Sequence, residues 1–369
     1  MRVGILTSSR ADYSQYLPLL RQLDRTPEID FEIIAFGTHL SDKFGKTIKQ
    51  IVSDGFEVCH GLDTYVDGDR PQSICESMSK TILACSEVWE KTRFDLIYSL
   101  GDRFEMFAAC SSLQPYNIPI AHIHGGEETE GAIDNAFRHG ITHMSSLHFP
   151  STEVYRQRIV DLKGSDSNVY NVGALSIDNL SKLKLLSKSE FFQAFNINLD
   201  LPSVLVTFHP ETINFKSNQY YVEQLTAVLS RLKKYQIIIT MPNADTSSAV
   251  IRDRLNAFIV EHENAVGVES FGTLGYLTCI KHCAFMLGNT SSGFLEASYF
   301  PTKVVNLGNR QKGRILTANI VTVEIEESKI LQGIDEILSR KLPEKIDIFG
   351  HGNAAEKIVA ATIAAVHNR

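Results

Sequence analysis

The chain is poor in several features, and each shortage removes a class of function. No window approaches the roughly 18 uninterrupted apolar residues of a membrane-spanning helix. The opening MRVGILTSSRADY turns polar after Leu6, too early for a secretory signal core. Both points predict a cytoplasmic protein with no membrane partner. The six cysteines of the 369 residues are scattered without a CxxC pair, although Cys279 and Cys283 lie four apart. That usage predicts reduced thiols rather than a disulfide framework. There is no basic surplus: the net charge is -7, so the broad cationic face of a nucleic-acid binder is missing. A local basic pocket for one small anion remains compatible with it. GxGxxG, GxxxxGK[ST] and HExxH are all absent, which leaves neither a dinucleotide fingerprint nor a P-loop. Repeats, low-complexity tracts and long linkers are missing as well.

What is present is an alternation. VGILT (from Val3), FEIIAF (from Phe31), DLIYSL (from Asp95) and PIAHIH (from Pro119) read as strands buried on both faces. VLVTFH, QIIITM, CAFMLG and TKVVNL repeat the scheme in the second half. Helical patterns lie between them, such as YLPLLRQL and the segment from Ser73 to Thr92. The fold class predicted is α/β, with two Rossmann-like, doubly wound parallel sheets. NVGALSIDNL, from Asn171, reads as the last strand of the first half. The expected division is therefore 1–172, 173–352 and a terminal helix over 353–369.

In such sheets ligands bind beyond the carboxyl ends of the strands, so the strand-to-loop junctions carry the chemistry. TSSRADY presents Arg10 and a helix start at Asp12. This is either an anion-binding loop or a capped helix with Arg10 in solvent. In GDRFEM, Asp102 is either an exposed carboxylate or an N-cap. HIHGGEETEGAIDNAFRHG gathers His124, Glu127 and Asp134 around two glycines, with Asp134 opening a helix. His122, His124, His139, His143 and His148 fall within 27 residues. A metal site, acid–base or substrate contact, and structural histidines are the three readings of that cluster. In the second half, His209 follows a strand, Asn243 and Asp245 sit at the next strand end, and LGNTSSGFLEASYF suits a diphosphate, with Glu296 toward a ribose. NLGNRQKGR adds Arg310, Lys312 and Arg314.

In this order, SRADYSQYLPLL, GTHLSD, GDRFE, HIHGGEETEGAIDNAFRHGITHMS, TFHPET, PNAD, GNTSSGFLEA and NLGNRQKGR resemble the UDP-N-acetylglucosamine 2-epimerases. They are most similar to the hydrolysing branch that feeds sialic and legionaminic acid synthesis. The motifs extend to residue 314, over nearly the whole chain. The resemblance implies a glycosyltransferase-B-type fold, two Rossmann-like domains facing a cleft with the terminal helix packed on the first. It implies a nucleotide-sugar substrate, no cofactor, no metal, and a homodimer or homotetramer.

The implied reaction begins with loss of UDP from C1 as the C2 proton is removed. Water then adds at C1, and a proton returns to C2 from the other face. By motif position the resemblance gives catalytic roles to Asp102, His124, Glu127, Asp134 and His209. It gives UDP contacts to Arg10, Ser291, Glu296 and Arg310; His39, Arg103, Asn243, Asp245, Phe271, Thr290 and Ser292 are the further candidate substrate or nucleotide contacts. One position departs from the pattern. The better-known members carry glutamate, in HIEGGE, where this chain has His124, so either His124 or Glu127 takes over that proton transfer. The departure also points to a changed sugar, such as a 2,4-diacetamido one. The alternatives are a retaining glycosyltransferase, a non-hydrolysing epimerase and a catalytically silent nucleotide-sugar sensor.

Overall fold

The computed structural model describes residues 1–68, 70–129, 133–211, 215–242 and 248–367. Six strands form the first sheet: β1 (Arg2–Thr7), β2 (Asp30–Ala35), β3 (Val58–Gly61), β4 (Leu96–Leu100), β5 (Ile120–Ile123) and β6 (Leu147–Phe149). Their order is β3-β2-β1-β4-β5-β6, with every pairing parallel. The second sheet holds β7 (Ser203–Thr207), β8 (Gln236–Thr240), β9 (Ala265–Val268), β10 (Phe285–Gly288), β11 (Val304–Leu307) and β12 (Ile320–Val323). Its order is β12-β11-β10-β7-β8-β9, again all parallel. The order of strand addition reverses once in each sheet, between β1 and β4 in the first and between β7 and β10 in the second. Those two switch points are where such sheets open a crevice for a ligand.

The eight strands expected from apolar runs are the eight inner strands. The four that the runs did not reveal, β3, β6, β9 and β12, are the sheet edges. An inner strand such as β4 is buried along its whole length, while β3 and β9 alternate or stay half-exposed, so their apolar signal is weak. The segment from Asn171 is no strand. Val169 makes a single parallel bridge to His148, and the chain then enters the helix Leu175–Lys182.

The chain divides into two compact units. One comprises Met1–Glu127 and Asp134–Ser181 with the chain from Ile348 onward; the other is chiefly Lys182–Asp347. In the first, Val3 and Ile5 of β1 pack against Tyr16 and Leu20 of the helix Arg10–Asp24 and Ile358 of the helix Ala354–His367. Leu6, Ile34 and Ile97 point to the other face and meet Trp89 and Met106. Each fully buried side chain of this kind contributes roughly 1.5–3 kcal/mol. In the second unit Val204, Val206 and Leu287 pack against Val222 and Leu225 in the same manner.

Two polar devices fix the helices over the first core. Asp178, fully buried, accepts the backbone N–H groups of Ala354 and Ala355 at 2.8 Å each and so caps the terminal helix. That helix is pinned at its other end by Tyr98, whose buried hydroxyl donates to Thr362 at 2.6 Å. The second device answers a proline. Pro18 lies inside the helix Arg10–Asp24 and has no N–H to give the carbonyl four residues back, on Ser14. Asn179 supplies the missing donor through Nδ2, 2.8 Å from that carbonyl.

Replacing Asn179 by alanine should therefore cost about 1 kcal/mol. The loss should shrink in a Pro18→Ala background, where the helix recovers its own donor. A double-mutant cycle in urea measures the coupling, and strict additivity would contradict the assignment.

A pH dependence follows from β5 and β6, where His122 and His148 occupy paired register positions and are both buried. Burial pushes His122 down to about 4 and His148 to about 3. In the unfolded chain both lie near 6.5. Between pH 6.5 and the folded values, the unfolded state binds protons that the folded state does not. Stability is complete above about pH 6.5, falls with pH through that window, and levels off below about pH 3. His148→Phe should flatten the slope of unfolding free energy against pH, and an unchanged slope would exclude His148 as its source.

Candidate active site

At the first switch point, β1 runs into Ser8 and Ser9, and the helix begins at Arg10, two residues before the start expected at Asp12. Asp12 is buried instead, with its carboxylate turned back on the loop. Oδ1 accepts from Thr7 Oγ1 and the Ser9 N–H, both at 2.9 Å; Oδ2 accepts from the Ser8 N–H and hydroxyl, both at 2.8 Å. Arg10 stands exposed on the first helical turn. His39 is fully buried, with one ring nitrogen 2.9 Å from the Thr7 hydroxyl and the other 2.9 Å from that of Thr47. Burial lowers its pKa, opposed by the Asp12 charge. His39 thus buttresses the loop from behind.

Beside it, β4 runs into Gly101, whose φ of 81° lies in the left-handed region that glycine enters without penalty. The turn delivers Asp102, half-buried, ahead of the helix Phe104–Leu113. Arg103 occupies the N-cap position, so Asp102 is not the cap. The Asp102 carboxylate is paired with the Arg138 guanidinium, a buried cation on the helix Asp134–Met144. Arg138 also donates to the Glu127 carbonyl at 2.9 Å. Arg103 makes a two-pronged contact with buried Glu105, at 2.9 and 3.1 Å.

His124 follows β5 with φ 64°, a left-handed conformation that costs a non-glycine residue roughly 1–2 kcal/mol. Its backbone N–H is held by the Phe149 carbonyl at 3.1 Å. The reason for the strained turn is visible in the side chain. His124 Nδ1 lies 2.7 Å from Glu127 Oε1, which also accepts from Ser151 Oγ at 3.2 Å. All three residues are buried, and His124 Nε2 has no hydrogen-bond partner among the described residues. In a neutral ring, a carboxylate on Nδ1 favours the proton there and leaves Nε2 as a lone pair, the arrangement of a proton acceptor. Asp134 begins its helix half-buried, one turn before Arg138.

The first unit therefore brings Asp102, His124, Glu127 and Arg138 into one hydrogen-bonded set. Arg138 and Ser151 were not singled out in the sequence. Arg138 carries a signal, four residues after Asp134 on the same helical face, but Ser151 carries none. Among the described residues no three His, Cys, Asp or Glu side chains converge as metal ligands.

In the second unit the corresponding switch point lies between β7 and β10. His209 follows β7 and is clamped through its backbone: its N–H donates to Asn289 Oδ1 at 2.7 Å, and Asn289 Nδ2 donates to its carbonyl at 2.8 Å. Asn218 repeats the clamp on Glu211, at 3.0 and 3.2 Å. After β10, Thr290 and Ser292 bond through their hydroxyls at 2.8 Å, and Tyr276 reaches Ser292 at 2.8 Å. Ser291 stands exposed and Glu296 half-buried on the short helix Glu296–Tyr299. Arg310 lies 3.4 Å from the Asn289 carbonyl, which Gln311 also bonds at 2.9 Å. Phe271 is buried before the helix Gly272–His282, its ring 5.4 Å from Phe191 and 4.9 Å from Phe195. Asn243 and Asp245 lie outside the described residues.

A family model described as UDP-N-acetylglucosamine 2-epimerase matches residues 21–363. A relative from Campylobacter jejuni, named GDP/UDP-N,N'-diacetylbacillosamine 2-epimerase (hydrolyzing), is 34% identical over 327 residues, covering 88% of this chain and 85% of its own. One from Legionella pneumophila, named UDP-N,N'-diacetylbacillosamine 2-epimerase (hydrolyzing), is 30% identical over 358 residues, with 96% and 94% covered. Among solved structures, UDP-GlcNAc 2-epimerase from Neisseria meningitidis bound to UDP-GlcNAc superposes with a TM-score of 0.85 at 18% identity, over 99% of this chain and 100% of that one. That likeness shows the fold, two Rossmann-like parts of glycosyltransferase-B type. The length of the family match and the identity to these relatives together establish that the chain belongs to the UDP-N-acetylglucosamine 2-epimerase family of enzymes.

Proposed function

We propose that the chain is a hydrolysing 2-epimerase. It converts UDP-N,N'-diacetylbacillosamine, a UDP-linked 2,4-diacetamido sugar, to UDP and the free manno-configured sugar for legionaminic or sialic acid synthesis. The observation that carries this reading is the buried His124–Glu127 pair, with Nε2 unpartnered among the described residues, joined through Arg138 to the Asp102 carboxylate. Inverting C2 needs one group to take a proton from one face and another to return a proton to the opposite face. Asp102 and His124 are those two carriers, and Asp134 is the third acid of the site.

In the first step the C2–H bond breaks and its electrons form the C1–C2 double bond. The C1–O bond to UDP breaks in the anti sense, and UDP leaves. In the second step water supplies hydroxide to C1 and a carrier returns a proton to C2, so substrate plus water balances as UDP plus free sugar. His209 stands beside the departing diphosphate. Arg10, Thr290, Ser291, Ser292 and Arg310 serve its phosphates, and Glu296 the ribose. Arg103, Asn243, Asp245 and Phe271 complete the binding set. His39 acts behind it, through the Thr7 loop. The 2,4-diacetamido substrate is supported by the names of the two relatives above and by histidine at position 124.

A retaining glycosyltransferase of the same fold would use the nucleotide groups but has no role for the His124–Glu127 pair. Proton NMR in D₂O without any acceptor distinguishes the two. The expected result is UDP plus a free manno sugar carrying deuterium at C2, formed faster from the diacetamido sugar nucleotide than from UDP-N-acetylglucosamine. Equal rates would sink the substrate assignment, and no turnover of either would sink the epimerase.

Glu127→Gln should lower kcat by about 10²-fold or more with UDP affinity unchanged, because the amide no longer fixes the His124 tautomer. Ser151→Ala should lower it by only about 3–10-fold, the outer partner of a pair being worth less than the pair itself. If both variants kept wild-type kcat, the pair would be structural.

A further inference from the structure

His122 is a buried imidazole to which the reaction above gives no role. It is fully buried, two residues before His124 on β5, and bonded at both ring nitrogens. Nε2 lies 2.8 Å from the Gly101 carbonyl, and Nδ1 lies 3.1 Å from the Thr142 hydroxyl. The carbonyl can only accept, so the proton sits on Nε2. The ring is neutral, because burial pushes it down to about 4, so Nδ1 accepts from Thr142. The tautomer is therefore set by the partners and runs in one direction, from Thr142 to Gly101.

The two bonds join the elements that carry the candidate proton carriers. Gly101 forms the peptide plane into Asp102, and its own N–H is held by the Ile123 carbonyl at 3.0 Å. Thr142 lies on the helix that carries Asp134 and Arg138, and His122 itself shares β5 with the turn to His124. The approach leaves no room for a side chain at Gly125. A Cβ there would fall 2.8 Å from His122 Nδ1 and 3.1 Å from the Thr142 hydroxyl.

We propose that His122 is a positioning residue for catalysis: its Nε2–H, bonded to the Gly101 carbonyl, sets the peptide plane that aims Asp102. The inference rests on the epimerase reading and goes beyond it, since His122 itself touches neither sugar nor nucleotide.

Three variants test it: His122→Phe, which removes both ring contacts; His122→Gln, which keeps an N–H donor; and Thr142→Val, which keeps the imidazole but removes its donor. Wild-type turnover of the diacetamido sugar nucleotide is measured first. If there is none, the epimerase reading falls and this inference with it. If the wild type is active, His122→Phe should lose about 10²-fold in kcat with KM within about 3-fold, as expected for a misaimed group. His122→Gln should regain at least about 10-fold of that loss. Thr142→Val should lose about 10-fold.

The decisive readout is the isotope effect, from substrate deuterated at C2 and from D₂O solvent. A misaimed Asp102 slows one proton transfer selectively, so one of the two effects rises in His122→Phe and Thr142→Val. A merely structural loss lowers the active fraction and leaves both unchanged. Unchanged isotope effects, or equal losses in the Phe and Gln variants, overturn the proposal. If His122→Phe fails to fold, Thr142→Val decides alone, and wild-type kcat and isotope effects in that variant overturn it.

Discussion

A guanidinium buried to 2% exposure is the constraint on which the first unit's site depends. Taking an arginine out of water costs several kcal/mol unless its donors are met and its charge is balanced. Arg138 is balanced by the Asp102 carboxylate and bonded to the Glu127 carbonyl. Both partners lie at the carboxyl ends of neighbouring inner strands. The ion pair therefore does more than neutralise a charge. It ties the turn after β4 to the turn after β5, and it places a helix carrying Asp134 across the two. Removing either charged partner would strand the other in a poorly solvated place, so the carboxylate is held in one position before any substrate arrives.

The second unit meets the same demand for a rigid rim by other means. Side-chain-to-backbone hydrogen bonds hold its switch-point loops, including one from the Asn309 N–H to the buried Glu211 carboxylate at 3.0 Å. Asn289 and Asn218 each clamp the backbone of a neighbouring loop through both ends of the side chain. An asparagine clamp satisfies buried backbone groups without bringing a charge. The first switch point is tied by a buried ion pair, and the second by side-chain clamps on the backbone.

Much of this was legible in the sequence, for definable reasons. Continuous apolar runs marked every inner strand because those strands are covered on both faces, and the same criterion was blind to the edges. β6 is three residues long with a histidine at its centre, and β3 shows two of its four residues to solvent. The segment at Asn171 misled because an apolar stretch of that length serves equally to enter the helix Leu175–Lys182. The candidate loops stood out because their residue types are unusual at strand ends. The pairings were not. Asp102 and Arg138 are 36 residues apart, and Ser151 lies beyond a strand and a helix from its partner Glu127. Only the order of strands brings such groups together.

The same limit explains why His124 and Glu127 stood as rival candidates in the sequence while the structure makes them partners. Three residues apart in a loop, they have no fixed relation until the left-handed turn at His124 folds Nδ1 onto Oε1. Once joined, they offer a physical reason why histidine can replace the glutamate of better-known family members. A lone carboxylate carries one negative charge and can hold one proton. The HIEGGE pattern keeps the glutamate at 127 as well, so two carboxylates there become one carboxylate and one imidazole, whose Nε2 lies across the ring from the charge. Histidine at position 124 therefore removes one negative charge near Arg138 while leaving a group that can take a proton. Under the proposed reaction, the swap keeps a proton carrier at this position and lowers the negative charge that faces the sugar.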